Sequence, residues 1–241
     1  MSQLKLYIGC SSYATASWKS IFYPQDLHKR DWFKFYVSHF GTYEFNGSFY
    51  KFPTAEYLTK WHNRVDENFK FSIKAPRIIT HVKKLDDCTE EIKNFYNACR
   101  EGLKNKLACI LWQLPPSFDF STARLHSVLQ NMNPAFKNVV EFRHVSWWQA
   151  DVFRQFADQN ITFCTVNYPG LPTSTPQTTP IGYIRMHGNP KLFYTEYTSK
   201  EIEALSRQIN RMDFEELYVY FNNTASTAGI INALQLQKIQ V

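Results

Sequence analysis

Eight short β-rich runs recur along this chain with helical patterns between them, and that rhythm limits the fold more than any other feature. Apolar periodicity predicts strands at 4–10, 43–49, 70–76, 108–114, 138–144, 162–168, 181–187 and 216–222. Helical spacing occupies 27–39, 54–65, 89–103, 121–132, 148–159, 199–212 and 225–237. Strand followed by helix, repeated this way, is the signature of a parallel α/β protein. The chain has 241 residues, and ~250 is typical of an eight-fold barrel. The expectation is therefore an α/β, TIM-type (β/α)8 barrel forming a single domain over residues 1–241. One gap breaks the rhythm. Residues 169–180 hold Pro169, Gly170, Pro172, Pro176 and Pro180, which rule out a regular helix. This Pro-rich loop is expected to replace the helix between strands six and seven, as an extended connection rather than a mobile lid.

The runs end in polar residues. In Val139-Val140-Glu141-Phe142-Arg143 the side-chain period of two puts Glu141 and Arg143 on one face, Val140 and Phe142 on the other. Arg185 and His187 are separated from Ile184 and Met186 in the same way. Glu44, Asn46, Lys74, Gln113, Asn167 and Asn222 stand late in other runs, with Tyr220 sharing the face of Asn222. In a closed parallel barrel these residues would meet at the mouth where βα-loops build active sites.

The inventory suggests chemistry. Glu44 and Glu141 among Lys74, Arg143 and Arg185 would stay ionised unless burial wins, so either glutamate is a candidate general base. His187 is a candidate acid/base partner, and the arginines suit bidentate capture of a carboxylate or phosphate. The competing reading makes Glu141–Arg143 and Glu44–Lys74 internal ion pairs that fill a polar interior. A metal set from His144, His187, Glu44 and Glu141 is disfavoured, because ligand spacings such as H-x-H are missing and the cations would repel it. The loops His187-Gly188-Asn189-Pro190 and Asn222-Asn223-Thr224-Ala225-Ser226 resemble places where barrels seat phosphate, although Ser and Thr there also serve as ordinary helix caps. Phosphate-binding glycine loops are missing, so no nucleotide cofactor, and no other cofactor, is expected. Cys10, Ser11, Ser12 and Ser48 lack a nucleophile-elbow setting. Trp18, Trp147, Trp148, Phe49 and Tyr50 could stack a ligand, yet with 20 Phe, 14 Tyr and 6 Trp in the chain, packing is the better reading for most. His28, His39, His62 and His126 are read as hydrogen-bonded structure.

Composition sets the boundaries. Hydrophobic residues make up 44% and charged residues 20%, as in ordinary globular proteins. A net charge of +6 is a mild excess without charge blocks, so nucleic acid is possible as a partner but not favoured. Five scattered cysteines without a C-x-x-C argue for reduced thiols and a cytoplasmic protein. No signal peptide or run long enough for a membrane span is seen.

The motifs, taken in order, resemble those of the YecE-like family, domain of unknown function 72. They are Ile8-Gly9-Cys10-Ser11-Ser12 with Trp18 and Phe22-Tyr23-Pro24, Glu44-Phe45-Asn46-Gly47-Ser48-Phe49-Tyr50, and Lys74-Ala75-Pro76 with Thr80-His81. Gln113-Leu114-Pro115-Pro116-Ser117-Phe118, Glu141-Phe142-Arg143-His144 with Ser146-Trp147, Arg185-Met186-His187-Gly188 and Tyr220-Phe221-Asn222-Asn223 complete the series. The resemblance runs from about Ile8 to Leu234 and implies a TIM-type barrel whose activity is not established. It adds His81 to the candidate site beside Glu44, Asn46, Lys74, Gln113, Glu141, Arg143, Arg185, His187 and Asn222. Ser12 and Ser20 stand where the family usually has Gly, which implies a differently shaped first loop.

The leading expectation is a metal-independent enzyme acting on a small polar, anionic or sugar-like ligand. Glu141 or Glu44 would be the base, His187 its acid/base partner, and Arg143, Arg185 and Lys74 the anion clamp. Asn46, His81, Gln113 and Asn222 would also contact the ligand. Removing Arg185 should then abolish binding with little loss of fold. The alternatives are nucleic-acid binding or damage processing, and a binding protein without turnover. The sequence does not reveal an oligomeric state.

Overall fold

The computed structural model describes residues 4–173 and 176–240. The chain folds as alternating strands and helices, with the strands parallel to one another. In chain order these are β1 (Lys5–Cys10), α1 (Trp32–Val37), β2 (Thr42–Phe45), α2 (Gly47–Tyr50), α3 (Ala55–His62), β3 (Lys70–Lys74) and α4 (Thr89–Leu103). Then come β4 (Leu107–Gln113), α5 (Thr122–Asn131), β5 (Asn138–Glu141), α6 (Ala150–Asp158), β6 (Thr162–Phe163) and β7 (Thr165–Asn167). The chain finishes with β8 (Ile181–Met186), α7 (Ser199–Ile209), β9 (Glu216–Phe221) and α8 (Ala228–Gln240).

The eight expected runs are all present as strands, and among the described residues they pair into two sheets. The strands form a four-stranded sheet of order β1-β9-β8-β7 and a five-stranded sheet of order β2-β3-β4-β5-β6. The sixth run is broken at Cys164, whose N–H bonds the Val140 carbonyl at 2.9 Å while its thiol turns to the Thr165 carbonyl. Strand two is also shorter than expected. Its extension to residue 49 fails because Asn46 takes up a helical conformation and opens the short helix α2. Asn-Gly-Ser is turn-forming sequence, and it overrides the aromatic pattern around it. Asn46, Arg143, His187 and Asn222 consequently lie just beyond their strands, in the connecting segments.

Contacts divide the chain into two compact units. One comprises the residues up to Glu44 with 166–173 and 180 onward, and the other comprises 45–165 with 174–179. In the first unit β1, β9 and β8 lie in register with Tyr7 opposite Tyr218 and Tyr218 opposite Tyr183, so three tyrosines form a ladder across the sheet. Tyr7 and Tyr218 stack at 4.8 Å. Trp18, Tyr23, Phe33 and Tyr36 are buried in the same unit.

In the second unit β4 is buried along nearly its whole length, as expected for a parallel strand covered on both faces. Phe71, Phe95, Trp112, Phe142, Trp147 and Phe163 fill its core. Trp147 stacks on Phe142 at 3.9 Å and donates its indole N–H to the Phe118 carbonyl, so it packs rather than waiting for a ligand, as Trp18 does in the first unit. Within 169–180 the described residues form no helix. The hydroxyl of Thr178 accepts from Phe163 N–H and donates to the Ile161 carbonyl, tying that end of the segment to β6. Ser174 and Thr175 lie outside the described residues.

Candidate functional site

The sequence-predicted residues fall into two polar clusters, one in each unit. In the first, Glu44 sits on β2 and Arg185 on β8, and they form a forked ion pair. Arg185 Nε donates to Glu44 Oε2 at 2.8 Å and Nη2 to Oε1 at 2.6 Å. The Tyr183 hydroxyl adds a third bond at 2.8 Å, and Asn222 Nδ2 a fourth at 3.4 Å. Both charged side chains are buried, Glu44 at 0% and Arg185 at 1% exposure. A planar guanidinium matched to a carboxylate in this way is among the stronger charge-assisted contacts. The guanidinium expected to clamp an anion is therefore committed to a carboxylate of its own chain. The expectation that removing Arg185 leaves the fold intact is corrected accordingly, because the truncation would strand a buried charge.

The same geometry orients His187. Because Asn222 gives its amide N–H to Glu44, its Oδ1 is the atom 3.2 Å from His187 Nδ1. An amide oxygen can only accept, so Nδ1 carries the proton and Nε2 is left as the basic atom. The buried imidazole is flanked edge-on by Tyr168 and Phe193. Nearby, Tyr197 accepts the Gly188 N–H and donates to Asn167 Oδ1, both at 2.8 Å. Burial raises the pKa of Tyr197, so it remains a phenol and a donor. Burial, reinforced by the negative charge of Glu44, likewise raises the pKa of the Cys10 thiol, which is no nucleophile as it stands.

The second cluster stands at the C-terminal ends of neighbouring strands. Lys74 ends β3, Gln113 ends β4 and Glu141 ends β5, with Gln113 directly opposite Glu141 in register. Glu141 is fully buried and pairs through Oε1 with Nε of Arg143 two residues on. Cys164 Sγ lies 4.0 Å from its other oxygen. The Lys74 ammonium lies 4.0 Å from the centre of the Phe49 ring, a cation–π contact that holds the chain of Lys74 in place. Phe49 also has His81 as an edge-on neighbour, at 4.9 Å.

His81 belongs to a single π-turn, Ile78–Val82, that follows β3, and such turns are frequent at functional sites. Its Nδ1 lies 2.9 Å from Thr80 Oγ1, whose own proton goes to the Pro76 carbonyl, and its Nε2 faces the Gln113 amide nitrogen at 3.4 Å. The hydroxyl is thus left to accept and the amide to donate, so Nδ1 bears the proton here too. Burial first, then the positive charges of Lys74, Arg77 and Arg143, push the pKa of His81 down to about 4 against the opposing pull of Glu141. The ring is uncharged at neutral pH. Asn46 stands at the N-terminus of the short helix α2 without a side-chain capping bond, and the Ser48 hydroxyl of that helix donates to the Lys74 carbonyl at 2.6 Å.

Several members of these clusters escaped the sequence reading. Tyr183 was legible, since it precedes Arg185 by two and must share its face. Thr80 entered only beside His81 in the family motif, and Arg77 and Cys164 gave no such signal, because they lie just before a π-turn and at a strand break. Among the described residues no group of three or more His, Cys, Asp or Glu is arranged to hold a metal ion, and no helix is long and apolar enough to cross a membrane.

Comparison with known proteins places these clusters in a family context. A family model described as "Protein of unknown function DUF72" matches residues 7–240. The UPF0759 protein YunF of Bacillus subtilis (strain 168) is 22% identical over 275 residues, covering 97% of this chain and 94% of that protein. The UPF0759 protein YecE of Escherichia coli (strain K12) is 27% identical over 110 residues, which is 45% of this chain and 40% of YecE. Among solved structures, a DUF72 family protein from Thermotoga maritima MSB8 superposes with a TM-score of 0.87 at 28% identity, covering 98% of each chain. One from Enterococcus faecalis V583 gives 0.81 at 21% identity, covering 99% of this chain and 95% of that one.

Proposed function

The chain belongs to the DUF72 family, and from that premise we propose that it is a metal-independent enzyme acting on a small anionic or sugar-like ligand by glutamate and histidine acid–base chemistry. The observation that carries the proposal is the convergence of Lys74, Gln113 and Glu141 at the C-terminal ends of β3, β4 and β5, with Arg143 paired to Glu141. Beyond the effect of burial, the charges of Lys74, Arg77 and Arg143 bear on the nearby His81 ring with Glu141 opposing them. A polar cluster of net positive charge at the ends of parallel strands attracts an anion. In this reading Lys74 and Arg143 hold the anionic group, and Gln113, Asn46 and neutral His81 contribute hydrogen bonds. Glu141 is the carboxylate proposed as base.

The first cluster carries different proposed roles. Glu44 and Arg185 serve as a fixed ion pair that aligns Asn222, and His187 keeps the acid/base role through Nε2. The (β/α)8 barrel and single-domain organisation expected from the strand count, and the cytoplasmic location suggested by scattered cysteines without a C-x-x-C, belong to the same proposal.

The test is calorimetric titration of the protein with sugar phosphates and small organic acids, beside Lys74→Ala. Lys74 is only partly buried, so its truncation should leave the fold intact. Binding that weakens roughly tenfold or more in the variant, about 1.4 kcal/mol, supports the anion clamp. Equal binding by both proteins overturns it. Saturable binding with no turnover would leave a ligand-binding protein in place of an enzyme.

A further inference from the structure

Away from both clusters, at the N-terminal ends of β4 and β5, the second unit carries a groove of about 310 Å³. Its rim has three cations, Arg100, Lys104 and Lys137, over an apolar floor that includes Leu107, Ala108 and Phe136. A second groove of about 310 Å³ adjoins it, sharing Arg100 and Phe136, and brings the amide side chains of Asn97, Gln130, Asn131 and Asn133. No carboxylate lines either groove among the described residues.

Two details show that the surface is organised. Phe136 rests on Tyr96 with ring centres 4.5 Å apart, and Tyr96 is itself anchored, donating to Asn138 and accepting from the Asn133 N–H. Arg100 is steered by a 2.8 Å bond from Nη2 to Asn97 Oδ1. Lys104, moreover, adopts φ 52° and ψ −126°, a conformation that strongly favours glycine. A lysine held there against the preference of its backbone puts a positive charge where conformation alone would select none. Arg100 and Lys104 close the C-terminal end of α4, and the helix dipole accounts for two cations at that place. It does not account for Lys137, which arrives from the segment before β5, nor for the aromatic floor.

We propose that these adjoining grooves bind a nucleoside phosphate. The phosphate would be held by Arg100, Lys104 and Lys137, and the base would lie against Phe136 within reach of the neighbouring amides. A sugar phosphate would leave the apolar floor uncovered. The volume suits a ligand of nucleotide size. The site lies at the opposite strand ends from the second cluster, where bound ligands are not substrates of the mouth. The inference is independent of the function proposed above.

The experiment is calorimetric titration of the full chain with adenosine 5′-monophosphate, adenosine and inorganic phosphate at low salt. The expected result is saturable binding of the monophosphate, with adenosine and phosphate each weaker by roughly tenfold or more. Lys104→Gly, which removes the charge and suits the backbone, should weaken monophosphate binding to a similar degree without lowering the melting temperature. Arg100→Gln should do the same to binding. No binding of the monophosphate at millimolar concentration, or binding unchanged in both variants, overturns the proposal. Phosphate binding as tightly as the monophosphate overturns the assignment to a nucleoside.

Discussion

A guanidinium and a carboxylate that have both lost contact with water are stable only as partners, and Arg185 with Glu44 meets that condition. Breaking a buried pair from one side costs more than the pair contributes, because the abandoned charge keeps its desolvation penalty. Arg185→Ala is therefore expected to lower the stability of the protein by about 3–5 kcal/mol, read from urea unfolding. A loss of ligand binding in that variant would then say little about an anion clamp. His81 supplies a second prediction at this scale. Its pKa in the folded protein, about 4, lies below the ordinary value of 6.5, so between those limits the unfolded chain binds a proton that the native ring refuses. The stability contributed by the neutral ring is present in full above pH 6.5 and is lost as pH falls toward 4. His81→Gln should flatten the stability profile across that window relative to the parent, measured by denaturant titration at several pH values. Alternation along strands was enough to bring Glu141, Arg185 and His187 forward as candidates. It could not reach His81, which lies on a π-turn and was identified by family resemblance alone.

The packing of α3 on α4 depends on a single missing side chain. A Cβ built on Gly102 would stand 2.5 Å from the Leu58 Cβ and 2.8 Å from the Ala55 carbonyl, far inside van der Waals contact. Backbone and branch point have little room to yield, so Gly102→Ala should cost about 1–3 kcal/mol through overpacking, despite the better helix propensity of alanine. Thermal unfolding would register the loss, and an unchanged melting temperature would show that the two helices can slide apart. Helix α4 itself was legible to the residue, because 15 residues of amphipathic sequence open on a first turn that carries Glu90 and Glu91. Strand two was not. Its aromatic run Phe45, Phe49 and Tyr50 reads as a continuing strand, yet Asn46-Gly47-Ser48 turns the backbone into α2. Local turn chemistry outweighed periodicity there. The break at Cys164 escaped for a different reason, since the Thr162–Asn167 stretch reads as one β-favouring run and its bond to Val140 is a tertiary event.

At the scale of the whole molecule, one domain was expected and the contacts fall into two compact units. The chain crosses between them more than once, since residues 166–173 and 180 onward return to the unit built by the first 44 residues. Units threaded in this way are completed only when distant stretches of chain have assembled. The expected outcome is one cooperative transition, with tryptophan fluorescence and far-ultraviolet circular dichroism coinciding in urea. Separated transitions would show that the units unfold independently. The sequence by itself determined the class of fold, because a strand–helix period and apolar runs with polar ends are local properties written in residue order. It also determined which side chains to consider, since polar residues late in apolar strands are few. Their partners come only from the folded arrangement. That Arg185 is matched to Glu44 and not held open, that Asn222 sets the protonated nitrogen of His187, and that half-buried His81 stays neutral beside three cations all depend on partners far away in the chain. Charge energies follow distance and burial, and residue order specifies neither until the strands have been laid side by side.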